Sequence, residues 1–137
     1  MQRILLIEDD VFLREMYLHV FEKEGYVMAQ AGDGQEGIDM ANADTHDLIL
    51  LDIMMPRKSG IDVLRELRLP TSSAKNTPII LLSNLGQESV IQEAYNIGAD
   101  GYLLKADLLP RQVLEKVADF LSGKLTKKDF LSSQSME

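Results

Sequence analysis

Short aliphatic runs alternate with amphipathic stretches along the whole chain. Five runs stand out, at residues 4–7, 26–30, 48–51, 79–82 and 102–104. Four of them are almost wholly apolar, the pattern of strands covered on both faces rather than strands with one wet face. Between the first two, Leu13, Met16, Tyr17, Val20 and Phe21 keep the i, i+3, i+4, i+7, i+8 spacing of one apolar helical stripe, and Gly25 supplies a stop. Ile38 and Ala41 mark a short second helix, and Ile61, Leu64 and Leu67 a third. Val90, Ile91, Ala94 and Tyr95 mark a fourth that ends before Gly98, and Val113, Leu114, Val117, Phe120 and Leu121 the last. Pro110 falls early in the fifth helix, where a missing N–H costs little, and Asp107 ahead of it is placed to cap it. This alternation predicts an α/β fold with a five-stranded parallel sheet, doubly wound with five helices. Residues 70–77, rich in Ser, Thr and Asn, read as a loop before the fourth strand.

Composition narrows the function classes. The 137 residues suit one domain, and 45% hydrophobic content supports an ordinary core, which excludes an intrinsically disordered chain. The longest aliphatic runs are four residues, far below the ~20 that span a bilayer, and no signal-peptide pattern opens the chain; a soluble, cytoplasmic protein with no membrane partner is expected. The absence of cysteine excludes disulfides, thiolate metal sites and a cysteine nucleophile. With 14 Lys+Arg against 22 Asp+Glu the net charge is −8, which argues against direct nucleic-acid binding and for protein or cation partners. The folded domain is expected over residues 1–121. Residues 122–137 carry Gly123, three lysines, a Ser-rich end near residues 133–135 and only Leu125, Phe130 and Leu131 as apolar anchors, so they read as a frayed extension or the start of a linker.

In an open parallel sheet ligands bind beyond the carboxyl ends of the strands. Past the first run stand Glu8, Asp9 and Asp10; past the third, Asp52; past the fourth, Ser83; past the fifth, Lys105. If the second strand lies at an edge and the order is 2-1-3-4-5, these ends converge on one switch point. Glu8, Asp9 and Asp52 would then repel: two carboxylates ~4 Å apart cost about 4 kcal/mol at an effective dielectric near 20. A cation relieves this, and an all-oxygen donor set suits a hard ion such as Mg²⁺ (or Mn²⁺) rather than zinc. Lys105 as a point charge and Ser83 as a hydroxyl donor suit an anionic group beside that metal, and a phosphoryl group fits the description. Asp10 is the better candidate for capping the first helix. His19, on the polar side of that helix, and His46, in the loop before the third strand, read as surface residues.

These residues lie in four stretches: RILLIEDD (3–10), LILLDIMMPRKSGIDVL (48–64), PIILLSN (78–84) and GADGYLLK (98–105). In order and spacing they resemble the receiver domains of two-component response regulators, over residues 2 to about 121. The resemblance implies a flavodoxin-like sheet of order 2-1-3-4-5 and Asp52 as phosphoacceptor, charged by a histidine kinase or histidine phosphotransfer protein. It implies Mg²⁺ held by Asp9, by Glu8 through water, by Asp52 and by the backbone carbonyl of Met54. Lys105 would neutralise the phosphoryl oxygens, and Ser83 and Tyr102 would form a switch pair that alters the surface from about residue 87 to residue 121 for a downstream protein. The module would be regulatory rather than an enzyme, assisting only its own phosphorylation and dephosphorylation.

Two departures from the family pattern stand out. Ala106 replaces the proline that usually follows the lysine across a cis bond, and a cis bond before a non-proline costs ~2.5–4 kcal/mol, so either a trans bond with a rearranged loop or a strained cis bond is expected. Asn84 replaces a very small residue beside the phosphoryl site. Met54 and Leu85, each two positions past a site residue, are apolar and orient no water, which predicts slow dephosphorylation. Two other readings compete. The chain would be a fragment of a DNA-binding regulator if an output domain follows residue 137. A magnesium phosphatase of the haloacid dehalogenase type would need a second Asp where Met54 stands and a nucleophile after the first strand. A flavin carrier would need a Ser/Thr/Gly-rich loop after that strand.

Overall fold

The computed structural model describes residues 2–130. Five strands, β1 (Arg3–Ile7), β2 (Val27–Ala31), β3 (Leu48–Asp52), β4 (Ile79–Ser83) and β5 (Gly101–Leu104), alternate with α1 (Val11–Lys23), α2 (Gly34–Ala43), α3 (Gly60–Leu67), α4 (Glu88–Ile97) and α5 (Pro110–Leu121). The strands form one parallel sheet in the order β2-β1-β3-β4-β5. Every residue of β3 and β4 is buried, because helices cover both faces; edge strand β2 is half exposed, which explains its more polar sequence. The expected order and the five-helix winding are both present. Strand ends shift by one residue from expectation: β2 starts at Val27 rather than Tyr26, β3 and β4 run on into Asp52 and Ser83, and β5 begins at Gly101.

Local chemistry starts the helices where the sequence places them. Asp10 Oδ1 accepts from Leu13 N at 3.0 Å and caps α1 as expected, Asp33 caps α2, and Ser59 with Asp62 forms a reciprocal box at α3. Asp107 does not cap α5. It ends a short 3-10 turn over Lys105–Asp107, and the cap position is Leu109, whose N–H donates to Gln112 Oε1 at 2.8 Å; Pro110 holds the first helical position as expected. Met16 also departs from expectation and stays 46% exposed. Leu13, Tyr17 and Phe21, four residues apart, face the sheet, and Met16 lies ~100° around the helix from Tyr17, beyond the covered stripe.

His46 is buried, not on the surface. The loop before β3 is tied to the start of β1: Arg3 N donates to Asp47 Oδ2 at 2.7 Å, Asp47 N to Arg3 O at 2.8 Å, and the Arg3 guanidinium forks onto Asp44. The imidazole lies close enough to Arg3, Asp44 and Asp47 to feel their charges, and burial holds its pKa below the ordinary value. His19 is exposed as expected.

The segment after α5 is not frayed as far as residue 130. Thr126 and Asp129 cap each other, with Thr126 N to Asp129 Oδ2 at 2.8 Å, and a helical turn carries Phe130 back onto the sheet. Phe130 is 4% exposed, its ring 6.1 Å from that of Phe120. It fits because residue 101 is glycine: a Cβ there would lie 2.8 Å from the Phe130 ring. Leu131 and the Ser-rich stretch near residues 133–135 lie outside the described residues. Removing the ring by Phe130→Ala should cost ~3 kcal/mol, the scale of a buried Phe truncation, read as a lower urea midpoint at unchanged slope. A loss under ~1 kcal/mol would show that the segment contributes nothing to the fold.

Candidate functional site

The carboxyl ends of β1, β3, β4 and β5 converge as the topology requires. Asp52 ends β3 and is 5% exposed; Ser83 ends β4 and Glu8 follows β1, both fully enclosed. Carboxylate oxygens of Glu8, Asp9 and Asp52 lie within 4.8 Å of one another. From beyond β5 the Lys105 ammonium donates to Glu8 Oε1 at 2.9 Å and stands 3.2 Å from Asp52 Oδ1. Lys105 therefore reaches the site although Ala106 follows it. The Lys105–Ala106 peptide is trans, no cis bond occurring among the described residues, and the 3-10 turn accommodates it.

The backbone behind Asp52 is tightly set. Met54 N donates to Asp52 Oδ1 at 3.3 Å, and Gly60 N donates to Ile53 O at 2.8 Å. A Cβ at Gly60 would fall 2.2 Å from Asp52 O, so only glycine lets the start of α3 approach this strand end. Sequence reasoning did not single out Gly60; its signal is the Ser-Gly pair at a helix start.

Ser83 and Tyr102 are side-chain neighbours, and both also bond the backbone of Leu85. Leu85 N donates to Ser83 Oγ at 3.1 Å, and Tyr102 Oη donates to Leu85 O at 2.5 Å. The Tyr102 ring is 1% exposed, its phenol pushed up in pKa by burial. Asn84 and Ala106 are exposed at the rim, Leu85 is half-buried, and Met54 is 57% exposed.

The electrostatics call for a cation. Three carboxylates meet one ammonium, which leaves −3 + 1 = −2 if all are ionised. Burial, and after it the Asp52 carboxylate, push Glu8 up to about 8, against the opposing pull of Lys105. For Lys105 burial works against the charge, but Glu8 and Asp52 outweigh it and raise the ammonium pKa. Glu8 Oε2 is buried with no hydrogen-bond partner. An orphaned buried carboxylate oxygen, a surplus of carboxylates over cations and an all-oxygen donor set fit a hard divalent ion. Sequence reasoning missed one more contact: Arg14 Nη1 donates to Glu8 O at 2.7 Å. A charged residue on a helix flank carries no local sign of such a role.

An acidic pocket joined by a lysine lies at the switch point of a doubly wound parallel sheet, the place where small open-sheet α/β modules bind their ligands. Within that class the chain belongs to the response regulator receiver domain family, whose model matches residues 4–118. Transcriptional regulatory protein CpxR of Escherichia coli is 40% identical over 105 residues, covering 77% of this chain and 43% of its own length. Transcriptional regulatory protein PdtaR of Mycobacterium tuberculosis is 34% identical over 114 residues, covering 80% of this chain and 54% of its own. The chain thus spans about half the length of these curated relatives. Among solved structures, chemotaxis protein CheY4 of Vibrio cholerae superposes with TM-score 0.79 at 29% identity, covering 86% of this chain and 97% of that one. The CheY-like receiver domain protein of Methanospirillum hungatei superposes with TM-score 0.81 at 26% identity, covering 90% and 96%. Among the described residues no helix is long and apolar enough to cross a membrane.

Proposed function

We propose that Asp52 accepts a phosphoryl group from the phosphohistidine of a kinase or phosphotransfer protein, and that the acyl phosphate alters the α4, β5, α5 surface for a downstream protein. The observation that carries the reading is the Lys105 ammonium held between the Glu8 and Asp52 carboxylates. An Asp52 carboxylate oxygen attacks phosphorus, the P–N bond breaks, and its electron pair stays on the donor imidazole. Phosphoryl transfer asks mainly for positioning and charge. Glu8, Asp9, Asp52 and the Met54 carbonyl would hold Mg²⁺ (or Mn²⁺), which supplies positive charge to the phosphoryl oxygens. Lys105 supplies the protein's own cation, and the Ser83 hydroxyl donates to a phosphoryl oxygen. Asn84 and Ala106 line the approach.

The turn at residues 83–85 links the switch pair, because Leu85 serves Ser83 through its N–H and Tyr102 through its carbonyl, one on each side of its Cα. Moving the Ser83 hydroxyl toward a phosphoryl group frees that N–H and loosens the residue whose carbonyl holds Tyr102. A coupling of ~1–3 kcal/mol is enough to change a partner's affinity five- to over a hundredfold. The protein acts in this reading as a regulatory phosphoacceptor in the cytoplasm, catalysing only its own phosphorylation and dephosphorylation.

The test is intact-mass spectrometry after incubation with acetyl phosphate and Mg²⁺, beside Asp52→Ala and EDTA controls. One phosphoryl adduct that needs both Asp52 and the metal is expected; a persistent adduct in Asp52→Ala would overturn the assignment. The adduct should also decay slowly, since the exposed Met54 and half-buried Leu85 offer no acceptor for an attacking water. Replacing both by polar residues should shorten its half-life, and an unchanged half-life would remove that explanation. A second reading, the receiver half of a transcription regulator, is favoured by relatives that are named transcriptional regulatory proteins and in which the matched region covers 54% and 43% of the length. Sequencing the gene beyond position 137 separates the two.

A further inference from the structure

Arg14 lies near the acidic pocket yet pairs with no carboxylate within 4.0 Å among the described residues. Asp9, Asp10 and Asp33 are all nearby in sequence or across the β2 end, so a guanidinium present for its charge would have partners to choose from. Its contacts are instead neutral and directional. Nη1 donates to the Glu8 carbonyl at 2.7 Å and Nε to Gln30 Oε1 at 3.0 Å. Gly32 leaves room for it, since a Cβ there would stand 3.3 Å from Nη1. On the other side, Glu8 N donates to Ala31 O at 3.1 Å.

Glu8 is where the chain leaves the β1 ladder and turns into α1, so its carbonyl has no strand partner in the described ladder. Arg14 supplies one from the first turns of α1, while Gln30 on β2 holds the guanidinium in place. The two peptides that flank Glu8 are thereby clamped, the one before it through the Glu8 N–H and the one that joins it to Asp9 through the Glu8 carbonyl. Without the clamp, repulsion from Asp52 would turn the two side chains apart, because like charges separate when the backbone allows it.

We propose that Arg14 is a positioning residue that fixes the Glu8–Asp9 backbone and so sets the affinity of the acidic pocket for its divalent cation. The inference rests on the reading that the pocket holds Mg²⁺. Groups that orient metal ligands typically contribute 10- to 100-fold in affinity. Accordingly Arg14→Ala should weaken Mg²⁺ binding by ~10- to 100-fold, and Gln30→Ala by less, since the carbonyl contact survives. Arg14→Lys should recover part of the loss, a point charge replacing a two-pronged donor.

The experiment is calorimetric Mg²⁺ titration of the full chain and these three variants, with thermal unfolding of each in EDTA and acetyl phosphate labelling at limiting and at saturating Mg²⁺. A raised Mg²⁺ Kd, with labelling slowed at limiting Mg²⁺ and restored at saturating Mg²⁺, is the expected outcome. An Arg14→Ala Kd within twofold of the parent, with only the melting temperature lowered, would reduce Arg14 to a structural tie and overturn the inference. If Arg14→Ala does not fold, the same comparison is made on Arg14→Lys and Gln30→Ala, and unchanged Kd values in both overturn it equally. Failure of the parent protein to bind Mg²⁺ is a different result, which removes the reading of the pocket itself.

Discussion

Mg²⁺ binding should weaken about tenfold for each pH unit below ~8, reaching roughly a hundredfold at pH ~6. The reason is Glu8, whose carboxyl is pushed up to about 8 by burial and by the neighbouring Asp52, so that a metal entering at lower pH must displace a proton. The sign for stability comes from the same difference. The folded state holds this proton over a window in which the unfolded chain, with an ordinary Glu near 4.5, has released it. Unfolding free energy therefore falls as pH rises from about 4.5 to about 8. Mg²⁺ reverses that loss, so EDTA should lower the melting temperature more at pH ~9 than at pH ~6. Calorimetric titrations across that range check the first statement. Glu8→Gln, which has no proton to lose, should bind more weakly but lose most of the pH dependence; a slope retained in Glu8→Gln would assign the proton elsewhere.

Arg68→Ala should destabilise the domain by ~3–5 kcal/mol, the scale of breaking a partly buried ion pair by removing one member. Arg68 fastens the far end of the molecule from the site. Its guanidinium donates to the carbonyls of Gly98 at 3.0 Å, Ala74 at 3.2 Å, Lys75 at 3.1 Å and Thr77 at 2.8 Å, and pairs with Asp100 at 3.0 Å. Asp100 in turn accepts from Ile79 N at 2.9 Å. One side chain thus binds the end of α3, the 70–77 loop, the end of α4 and the starts of β4 and β5. Arg68→Lys should recover only part of the loss, because an ammonium cannot serve divergent carbonyls at once. Urea denaturation of the three proteins decides it. A loss in Arg68→Ala below ~1 kcal/mol would mean that the carbonyls find water and the fork holds nothing.

Much of this molecule is legible in its sequence. The aliphatic runs became buried parallel strands because a strand covered on both faces cannot alternate with polar residues. Asp10 became the cap of α1, and Glu8, Asp9, Asp52, Ser83 and Lys105 stand directly past the carboxyl ends of those runs, where a parallel sheet places its ligands. The misreadings share a cause. Met16 fits the helical spacing, yet whether the flank of a stripe is covered depends on the elements that pack beside α1. His46 lies in a polar loop, yet that loop is tied to the start of β1 through Arg3, Asp44 and Asp47 and the residue is buried. Asp107 has cap chemistry, but the chain after Lys105 takes a 3-10 turn first. Phe130 reads as part of a tail until Gly101 is seen to leave room for its ring.

Apolar runs and the 3.6-residue spacing between them were enough to show the five strands and five main helices, because a strand covered on both faces and a helix covered on one report their burial in the letters. Which side chains touch was settled by folding alone. Lys105 and Glu8 are 97 residues apart and meet at 2.9 Å because four strand ends converge. Arg68 and Arg14 look like solvated helix charges, but each reaches backbone carbonyls on other parts of the chain. Hydrogen bonds of that kind are set by the packing of whole elements, and a single chain of letters carries no local record of them.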